Sequence, residues 1–303
     1  MNHEITYTRF NNNPLITYSH QGLQGEIGEN INGPSIIKVP GWVKNPLGKY
    51  YMYFAHHKGN FIRLAYSDNI HGPWKIYEKG TLSIAQTPGN DHIASPDVHV
   101  DEKAGKIVML YHTKYKNSGA FSNFLQVTFL AISDDGINFT SDKNVLGPYY
   151  MRLFEYKGRY YAIAKSKNAS GVLLTSPRYT NKFSVIREII PRMRHCAVYM
   201  RGNKLFIFFS RKGDAPESLY YSTINLDKHP NYWHPEKPKL LMKPEYEYEG
   251  ASENITPSKP GPIFQKSNQL RDPAIFEEEN EVYLFYTIAG EKGIAGARLI
   301  FND

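Results

Sequence analysis

The feature that most constrains the fold of this chain is a unit that recurs five times along its 303 residues. Each unit contains a short apolar strand, a polar turn that usually holds glycine, and a second strand rich in Tyr, Phe, Leu and Ile. The turn and second strand fall at residues 48–55, 105–112, 158–164, 202–210 and 280–286. The apolar strands before them are residues 34–39, 95–100, 150–154, 194–198 and 271–276. A third strand follows at residues 61–67, 129–133, 171–175, 218–222 and 293–298.

Three or four antiparallel strands repeated five times are typical of a β-propeller. We therefore predict an all-β fold, a single five-bladed β-propeller domain over residues 1–303. Helical periodicity over 11 or more residues is hard to find, and a β-sandwich would not explain the repeated order of the strands. The last unit reaches the end of the chain with only three strands. We expect residues 4–10 to supply its outer strand and so to remove an exposed sheet edge.

Composition and charge exclude several classes of protein. The net charge is +7, but the basic residues are scattered among carboxylates, so no nucleic-acid-binding stripe is indicated. No apolar run approaches the roughly 18 residues of a membrane span. A single cysteine, Cys196, excludes an internal disulfide. The first residues lack the basic and apolar regions of a signal peptide, which predicts a cytoplasmic protein, or a periplasmic one if a leader has been removed.

Charged side chains in the first strand of each unit are the main functional signal, because that strand lines the central channel of a propeller. They are Asp97, His99, Arg152, Arg194, His195, Arg271 and Asp272. Burying an ionised group without a partner costs several kcal/mol, so their presence in apolar strands needs a reason. We predict that they converge on a pocket at the channel mouth. The alternative is that Arg and Asp pair across the channel and hold the blades together.

Short motifs in these strands resemble those of known propeller enzymes. The sequence Ala-Ser-Pro-Asp-Val at 94–98, followed by a glycine turn and a second strand, resembles the Ala-Pro-Asp-Val stretch of glycoside hydrolase family 43. Arg-Asp-Pro at 271–273 is similar to a motif of the invertase-type family 32, and Gly-Pro-Trp at 72–74 resembles a family 43 blade ending. The resemblance implies a five-bladed glycosidase with a base, a second carboxylate and a glutamate acid at the channel mouth.

The chain departs from this pattern in the first blade, where family 43 places its base aspartate. Residues 33–35 read Gly-Pro-Ser there. Asp97 and Asp272 remain as candidate catalytic carboxylates, although an Asp beside Pro is also common in turns. For the proton donor we favour Glu249, whose Tyr and Gly neighbours would raise a carboxyl pKa. Glu217 is the second candidate, and His195 is the third because family 117 relatives are thought to use a histidine.

Further polar residues are predicted to bind substrate. His56, Asp91 and His92 form a neighbourhood, shared with His57, whose spacing fits no zinc signature and suits sugar hydroxyls better. We expect no cofactor, apart from a possible structural calcium ion of the kind seen in some family 43 relatives. Arg152, Arg194 and Arg271 exceed the needs of a neutral sugar, which suggests an acidic or anhydro sugar.

These observations predict a glycoside hydrolase acting on an oligosaccharide derived from a polysaccharide, exo-acting and inverting, with Asp97, Asp272 and Glu249 as catalytic residues. Two alternatives remain. One is a carbohydrate-binding propeller without catalysis, favoured by the missing first-blade aspartate. The other is a phosphorylase that uses inorganic phosphate, which the arginines would hold. Sugar, linkage and oligomeric state are not specified by the sequence.

Overall fold

The computed structural model describes residues 5–116, 119–124, 126–167 and 170–302. Within these ranges the chain forms 22 strands and five short 3-10 helices, and no α-helix. The 3-10 helices are Gly25–Gly28, Ile84–Gln86, Gly119–Phe121, Pro230–Tyr232 and Glu247–Glu249. The strands pair in five antiparallel sheets arranged as the blades of a β-propeller, which confirms the predicted fold class.

The strands of each blade follow one another along the chain. The first two strands, which join the last blade, are β1 (Ile5–Arg9) and β2 (Ile16–Thr17). Blade 1 contains β3 (Asn32–Lys38), β4 (Tyr50–Ala55), β5 (Phe61–Ser67) and β6 (Lys75–Ser83). Blade 2 contains β7 (Asn90–Asp101), β8 (Lys106–Lys114), β9 (Val127–Ser133), β10 (Thr140–Ser141) and β11 (Gly147–Pro148). Blade 3 contains β12 (Arg152–Tyr156), β13 (Arg159–Ser166), β14 (Ser170–Ser176) and β15 (Ser184–Pro191). Blade 4 contains β16 (Met193–Arg201), β17 (Lys204–Arg211), β18 (Leu219–Asn225) and β19 (Lys239–Met242). Blade 5 adds β20 (Arg271–Glu278), β21 (Glu281–Ile288) and β22 (Gly293–Phe301).

The outer strand of blade 5 comes from the opposite end of the chain. β1 pairs antiparallel with β22, in a register that sets Ile5 opposite Phe301 and Arg9 opposite Ala297. The backbone amide of Phe10 continues the ladder by donating to the carbonyl of Gly296. This pairing covers an edge of β22 that would otherwise present unpaired backbone groups to solvent.

The hydrophobic core is divided into five clusters, and each lies between two neighbouring blades. The second strand of each blade packs on both sides, so its residues are apolar without alternation. In β4, for example, all six residues are buried. One cluster joins blade 5 to blade 1 through β21, β22, β4 and the segment after β1, so the ring of cores is closed.

A break in register near the start of most inner strands turns their polar side chains toward the channel. β3, β7, β16 and β20 each carry a bulge, at residues 33–34, 95–96, 194–195 and 272–273. Asp272 adopts φ +47° and Ser95 φ +51° at this position, in the left-handed region that glycine favours, and Gly33 itself stands there in blade 1. Bulges of this kind re-aim side chains and commonly occur beside functional sites.

Helices long and apolar enough to cross a membrane are absent from the described part of the chain.

Candidate functional site

A cavity of about 90 Å³ opens at the end of the channel where the inner strands begin. Its polar walls come from all five blades: His57 after β4, Gln126 before β9, Lys165 in β13, Arg194 and His195 in β16, and Asp272 and Glu291 of blade 5. The rings of Tyr149 and Tyr150, just before β12, supply the apolar wall. Three of these side chains, Arg194, His195 and Asp272, lie in the bulges of β16 and β20, so the bulges place polar groups in the cavity wall.

Asp272 and His195 form the central pair of the cavity. His195 Nδ1 contacts Asp272 Oδ1, and both side chains are almost completely buried. Burial alone would raise the pKa of Asp272, but the adjacent imidazole lowers it, so the carboxylate is ionised. Burial lowers the pKa of His195 to about 4 despite Asp272, so its ring is neutral at pH 7. A neutral ring that donates from Nδ1 to a carboxylate leaves Nε2 as a proton acceptor.

Glu291 and His57 form a second histidine–carboxylate pair on the same cavity. His57 Nδ1 lies 3.4 Å from Glu291 Oε1, and the His57 side chain keeps 22% of its surface exposed. Arg271 Nη1 also donates to Glu291 Oε1 at 2.9 Å. Burial would raise the pKa of Glu291, but His57 and Arg271 lower it well below the ordinary value. The Glu291 carboxylate is therefore ionised.

Arg194 is held in place from behind the cavity wall. Its Nε donates to Glu217 Oε1 at 2.6 Å, and its Nη2 donates to the carbonyl of Lys259 at 2.6 Å. Glu217 is fully buried and also lies 3.2 Å from Arg271 Nε through its other oxygen. Glu217 and Arg271 do not line the cavity. They support Arg194 and Glu291, which corrects the expectation that they contact substrate.

Asp97, His99 and Arg152 lie around a different cavity, of about 370 Å³, at the other end of the channel. Asp97 Oδ2 accepts from the backbone amide of Leu153 at 2.8 Å and pairs with His99 Nε2 at 2.9 Å, while Arg152 Nε lies 4.0 Å from Oδ1. Ser95, not Asp97, occupies the bulge in β7. The expectation that Asp97, His99 and Arg152 share the mouth with Asp272 is wrong; these contacts join blades 2 and 3.

Glu249 lies outside both cavities. It is fully buried, where Arg9 Nε donates to Oε1 at 2.8 Å and Tyr286 Oη donates to the same oxygen at 2.8 Å. Its Oε2 accepts from the backbone amide of Glu245 at 2.8 Å. With both oxygens engaged between β1 and β21, Glu249 fixes the outer part of blade 5. This placement contradicts its assignment as the proton donor.

The remaining predicted residues lie near the mouth but do not line the cavity. His92 is buried, pairs with Asp91 at 3.0 Å, and faces the ring of His112. Asp91 is exposed and also pairs with Lys114 at 2.8 Å. His56 points to a neighbouring groove, where its ring centroid lies 6.0 Å from that of Phe264. Asp91, His92 and His56 are therefore rim residues, and no contact with a sugar in the cavity follows for them.

Sequence reasoning missed Lys165 and Glu291, and it noticed His57 only as a neighbour of other residues. Lys165 had a signal, since it stands in the otherwise apolar strand β13. Glu291 had none, because Gly290-Glu291-Lys292 has the composition of an ordinary exposed turn. Within the described ranges, no group of three or more His, Cys, Asp or Glu side chains is arranged to hold a metal ion.

Comparison with known proteins adds one sequence relative and a set of similar structures. The chain is 34% identical, over 327 aligned positions, to the uncharacterized protein R118 of Acanthamoeba polyphaga mimivirus, covering 98% of this chain and 91% of that protein. The chain belongs to the R118 family. No protein-family model matches the sequence.

The solved structures that resemble this chain include five-bladed propellers of glycoside hydrolase family 43. A β-xylosidase/α-arabinofuranosidase from a compost metagenome superposes with a TM-score of 0.63 at 14% identity, covering 98% of this chain and 96% of that one. A family 43 enzyme of Xanthomonas citri gives 0.61 at 12% identity, with 96% and 90% covered. An α-L-arabinanase mutant of Cellvibrio cellulosa gives 0.59 at 11%, with 89% and 90% covered. This likeness confirms the resemblance to family 43 at the level of the fold.

Proposed function

We propose that the protein is a glycoside hydrolase that removes a sugar from the end of an oligosaccharide. The observation that carries the proposal is the pair of histidine–carboxylate dyads, His195–Asp272 and His57–Glu291, on one small cavity at the channel mouth. Glycoside hydrolysis needs one group that gives a proton and another that accepts one. The fold supports the proposal because the structures it resembles are family 43 glycosidases.

The two dyads differ in burial, which suggests different roles. His195 is neutral and buried, with Asp272 holding its Nδ1 proton, so Nε2 would accept a proton from the attacking water. His57 is more exposed and lies on the same cavity, 3.4 Å from Glu291 Oε1, so it would serve as the proton donor to the leaving oxygen.

Exo action and inversion are part of the proposal. A cavity of about 90 Å³ suits one terminal ring better than the middle of a chain. Two separate proton carriers, with water between base and anomeric carbon, correspond to the inverting arrangement. An acidic sugar is the substrate class that the sequence suggested. The substrates expected are oligosaccharides, as for the Xanthomonas citri enzyme crystallised with xylotriose.

The test is the release of reducing sugar from a panel of oligosaccharides by the wild-type protein and by Asp272→Asn, His195→Asn and His57→Asn. Each substitution should lower kcat about 10²–10⁴-fold, the usual contribution of a general acid or base. Asp134→Asn is the matched control, because Asp134 is exposed and pairs with Lys106 on the outside of blade 2. NMR of the first product distinguishes inversion from retention.

Two results would contradict the proposal. Full activity in all three variants would show that catalysis does not take place in this cavity. Measurable binding of sugars by the wild-type protein, with no turnover across the panel, would favour the non-catalytic carbohydrate-binding propeller instead. Unchanged circular dichroism in each variant is required before either result is interpreted.

The pH profile gives a second test. The proposed base works only when His195 is unprotonated, and burial lowers the pKa of His195 to about 4. We expect the acid limb of the kcat/KM profile to lie near pH 4, where His195 becomes protonated. An acid limb near 6.5, the ordinary value for histidine, would contradict the assignment of His195 as the buried base.

A further inference from the structure

We propose that Lys165 and Arg194 form a binding site for an anionic group carried by the sugar in the mouth cavity, so that the substrate is an acidic saccharide. This inference rests on the proposed function in one respect, since it takes the ligand of the cavity to be a sugar. The chemical class is a carboxylate or an ester anion attached to a sugar ring.

Lys165 is a buried cation without a counter-ion. It lies near the end of β13 with only 4% of its surface exposed, and it lines the cavity. Its Nζ stands over the rings of Tyr150 and Tyr149, at 5.2 and 5.7 Å from their centroids. Among the residues that the structure describes, no carboxylate lies within ion-pairing distance of Nζ. A buried ammonium without an anion costs several kcal/mol, so an anionic ligand beside Nζ would stabilise the charged form of Lys165.

The carboxylates around Lys165 already have partners. Asp272 pairs with His195, and Glu291 pairs with His57 and Arg271. Glu217, behind the wall, pairs with Arg194 and Arg271. None of these carboxylates pairs with Lys165, the cation that blade 3 contributes to the cavity.

Arg194 and Lys212 add positive charge on the same side. Arg194 uses Nε and Nη2 for Glu217 and Lys259, which leaves Nη1 without a hydrogen-bond partner in the described ranges. Burial is the main cause that lowers the pKa of Lys165 to about 7, and the positive charges of Arg194 and Lys212 contribute to the same shift. An anion between Lys165 and Arg194 would reverse this effect and raise the pKa of Lys165.

The cavity walls favour an anion attached to a sugar over a free anion. Beside the two cations, the cavity presents the tyrosine rings of residues 149 and 150 and the two histidine–carboxylate dyads. Aromatic faces and hydrogen-bonding side chains are the groups that contact a sugar ring and its hydroxyls. A free phosphate would use only the cations and leave these groups without a ligand. Free phosphate is therefore the alternative ligand for Lys165 and Arg194, and the experiment has to distinguish it from an acidic sugar.

The experiment compares matched sugars by NMR titration of the full chain: glucuronate against glucose, and galacturonate against galactose, with inorganic phosphate as a separate arm. We expect each uronate to bind at least tenfold more tightly than its neutral partner. Lys165→Met should remove this preference, so that each uronate binds no more tightly than its neutral partner. Lys182→Met is the matched control, since Lys182 is an exposed lysine that packs on Phe121 away from the cavity.

A second readout reports on the amine itself. In protein whose lysines carry ¹³C-dimethyl groups, the resonance missing from Lys165→Met should titrate near pH 7. Adding uronate should move that titration to higher pH. A merely structural lysine would not respond to ligand.

The inference is overturned if uronate and neutral sugar bind alike, if Lys165→Met keeps the preference, or if phosphate alone accounts for the response of Lys165. The readout is binding, so it is separate from turnover. His57→Asn should keep the preference for uronate over the neutral sugar, because Lys165 and Arg194 are unchanged, even though it is expected to be inactive. If uronate binds but no substrate is hydrolysed, the anion site is supported and the proposed hydrolase function is contradicted.

Discussion

Some buried charges in this propeller have partners from distant parts of the chain. Arg9 and Glu249 are 240 positions apart, yet Arg9 donates to both oxygens of the carboxylate. Asn30 and Glu291 are 261 positions apart and are also in contact. A carboxylate that looks like a free acid in its local sequence can therefore be a structural partner in the fold.

Glu249→Gln tests this corrected role. The substitution removes the buried carboxylate that Arg9 contacts and leaves the exposed Glu245 as the charged partner of Arg9, and breaking a buried ion pair costs about 3–5 kcal/mol. We expect the free energy of unfolding to fall by that amount in urea denaturation, while kcat per folded molecule stays unchanged. Glu247→Gln, in the same 3-10 helix but exposed, should change stability by less than about 0.5 kcal/mol. A large fall in kcat at unchanged stability would return Glu249 to catalysis.

Cys196 gives a prediction about reactivity. Its side chain is buried in the core between blades 3 and 4, and burial raises the pKa of the thiol to about 12. Since the thiolate is the reactive form, the folded protein should not react with a disulfide reagent at pH 8. Reaction should begin only as the protein unfolds in denaturant, and it can be followed by absorbance. Rapid reaction of the native protein would contradict the burial of this residue.

At the residue scale, sequence reasoning identified side chains on inner strands better than side chains on turns. Asp272, His195 and Arg194 were predicted because polar residues in apolar inner strands are conspicuous, and all three line the cavity. Asp97 was predicted on the same signal but lies directly after its bulge, two positions beyond Ser95, where it faces the other end of the channel. The positions of bulges depend on tertiary pairing, so the direction of Asp97 could not be inferred from its sequence.

At the scale of strands, the repeated order of apolar strand, turn and second strand was sufficient to locate the blades. The second strands are buried on both sides and therefore show continuous apolar sequence. The outer strands were harder to predict, because β6, β15 and β19 are largely half-buried or exposed and vary in sequence. β1 could be expected only from the missing fourth strand of the last unit.

Removal of β1 tests the contribution of a single strand. A variant lacking residues 1–10 exposes the edge of β22 and removes Ile5 and Phe10 from two core clusters. Loss of large core side chains costs about 2–5 kcal/mol each, so we expect a lower midpoint of thermal unfolding and concentration-dependent aggregation. A variant lacking only residues 1–4 retains β1 and serves as the control. Equal stability of the two truncations would show that β1 is dispensable.

At the scale of the whole molecule, the cores belong to blade interfaces and not to individual blades. Each of the five clusters takes residues from two adjacent blades, and the cluster between blades 5 and 1 closes the ring. An open solenoid can lose a terminal repeat without affecting distant ones. In a closed ring every blade has two neighbours, so losing one blade disrupts two cores.

We therefore expect thermal unfolding in a single transition, with equal calorimetric and van't Hoff enthalpies. Phe54→Ala, in the cluster between blades 5 and 1, should lower the midpoint of the whole transition, at a cost of about 3–5 kcal/mol. Near-ultraviolet circular dichroism and the fluorescence of buried Trp233, between blades 3 and 4, should report the same shift. Separate midpoints for the two probes would indicate blades that unfold independently.

The pairing of β1 with β22 also has a consequence for biosynthesis. Synthesis delivers Ile5–Arg9 long before its partner strand, Gly293–Phe301. β1 therefore has no partner strand while blades 1 to 4 are being synthesised. The outer edge of blade 5 can be completed only once β22 has left the ribosome.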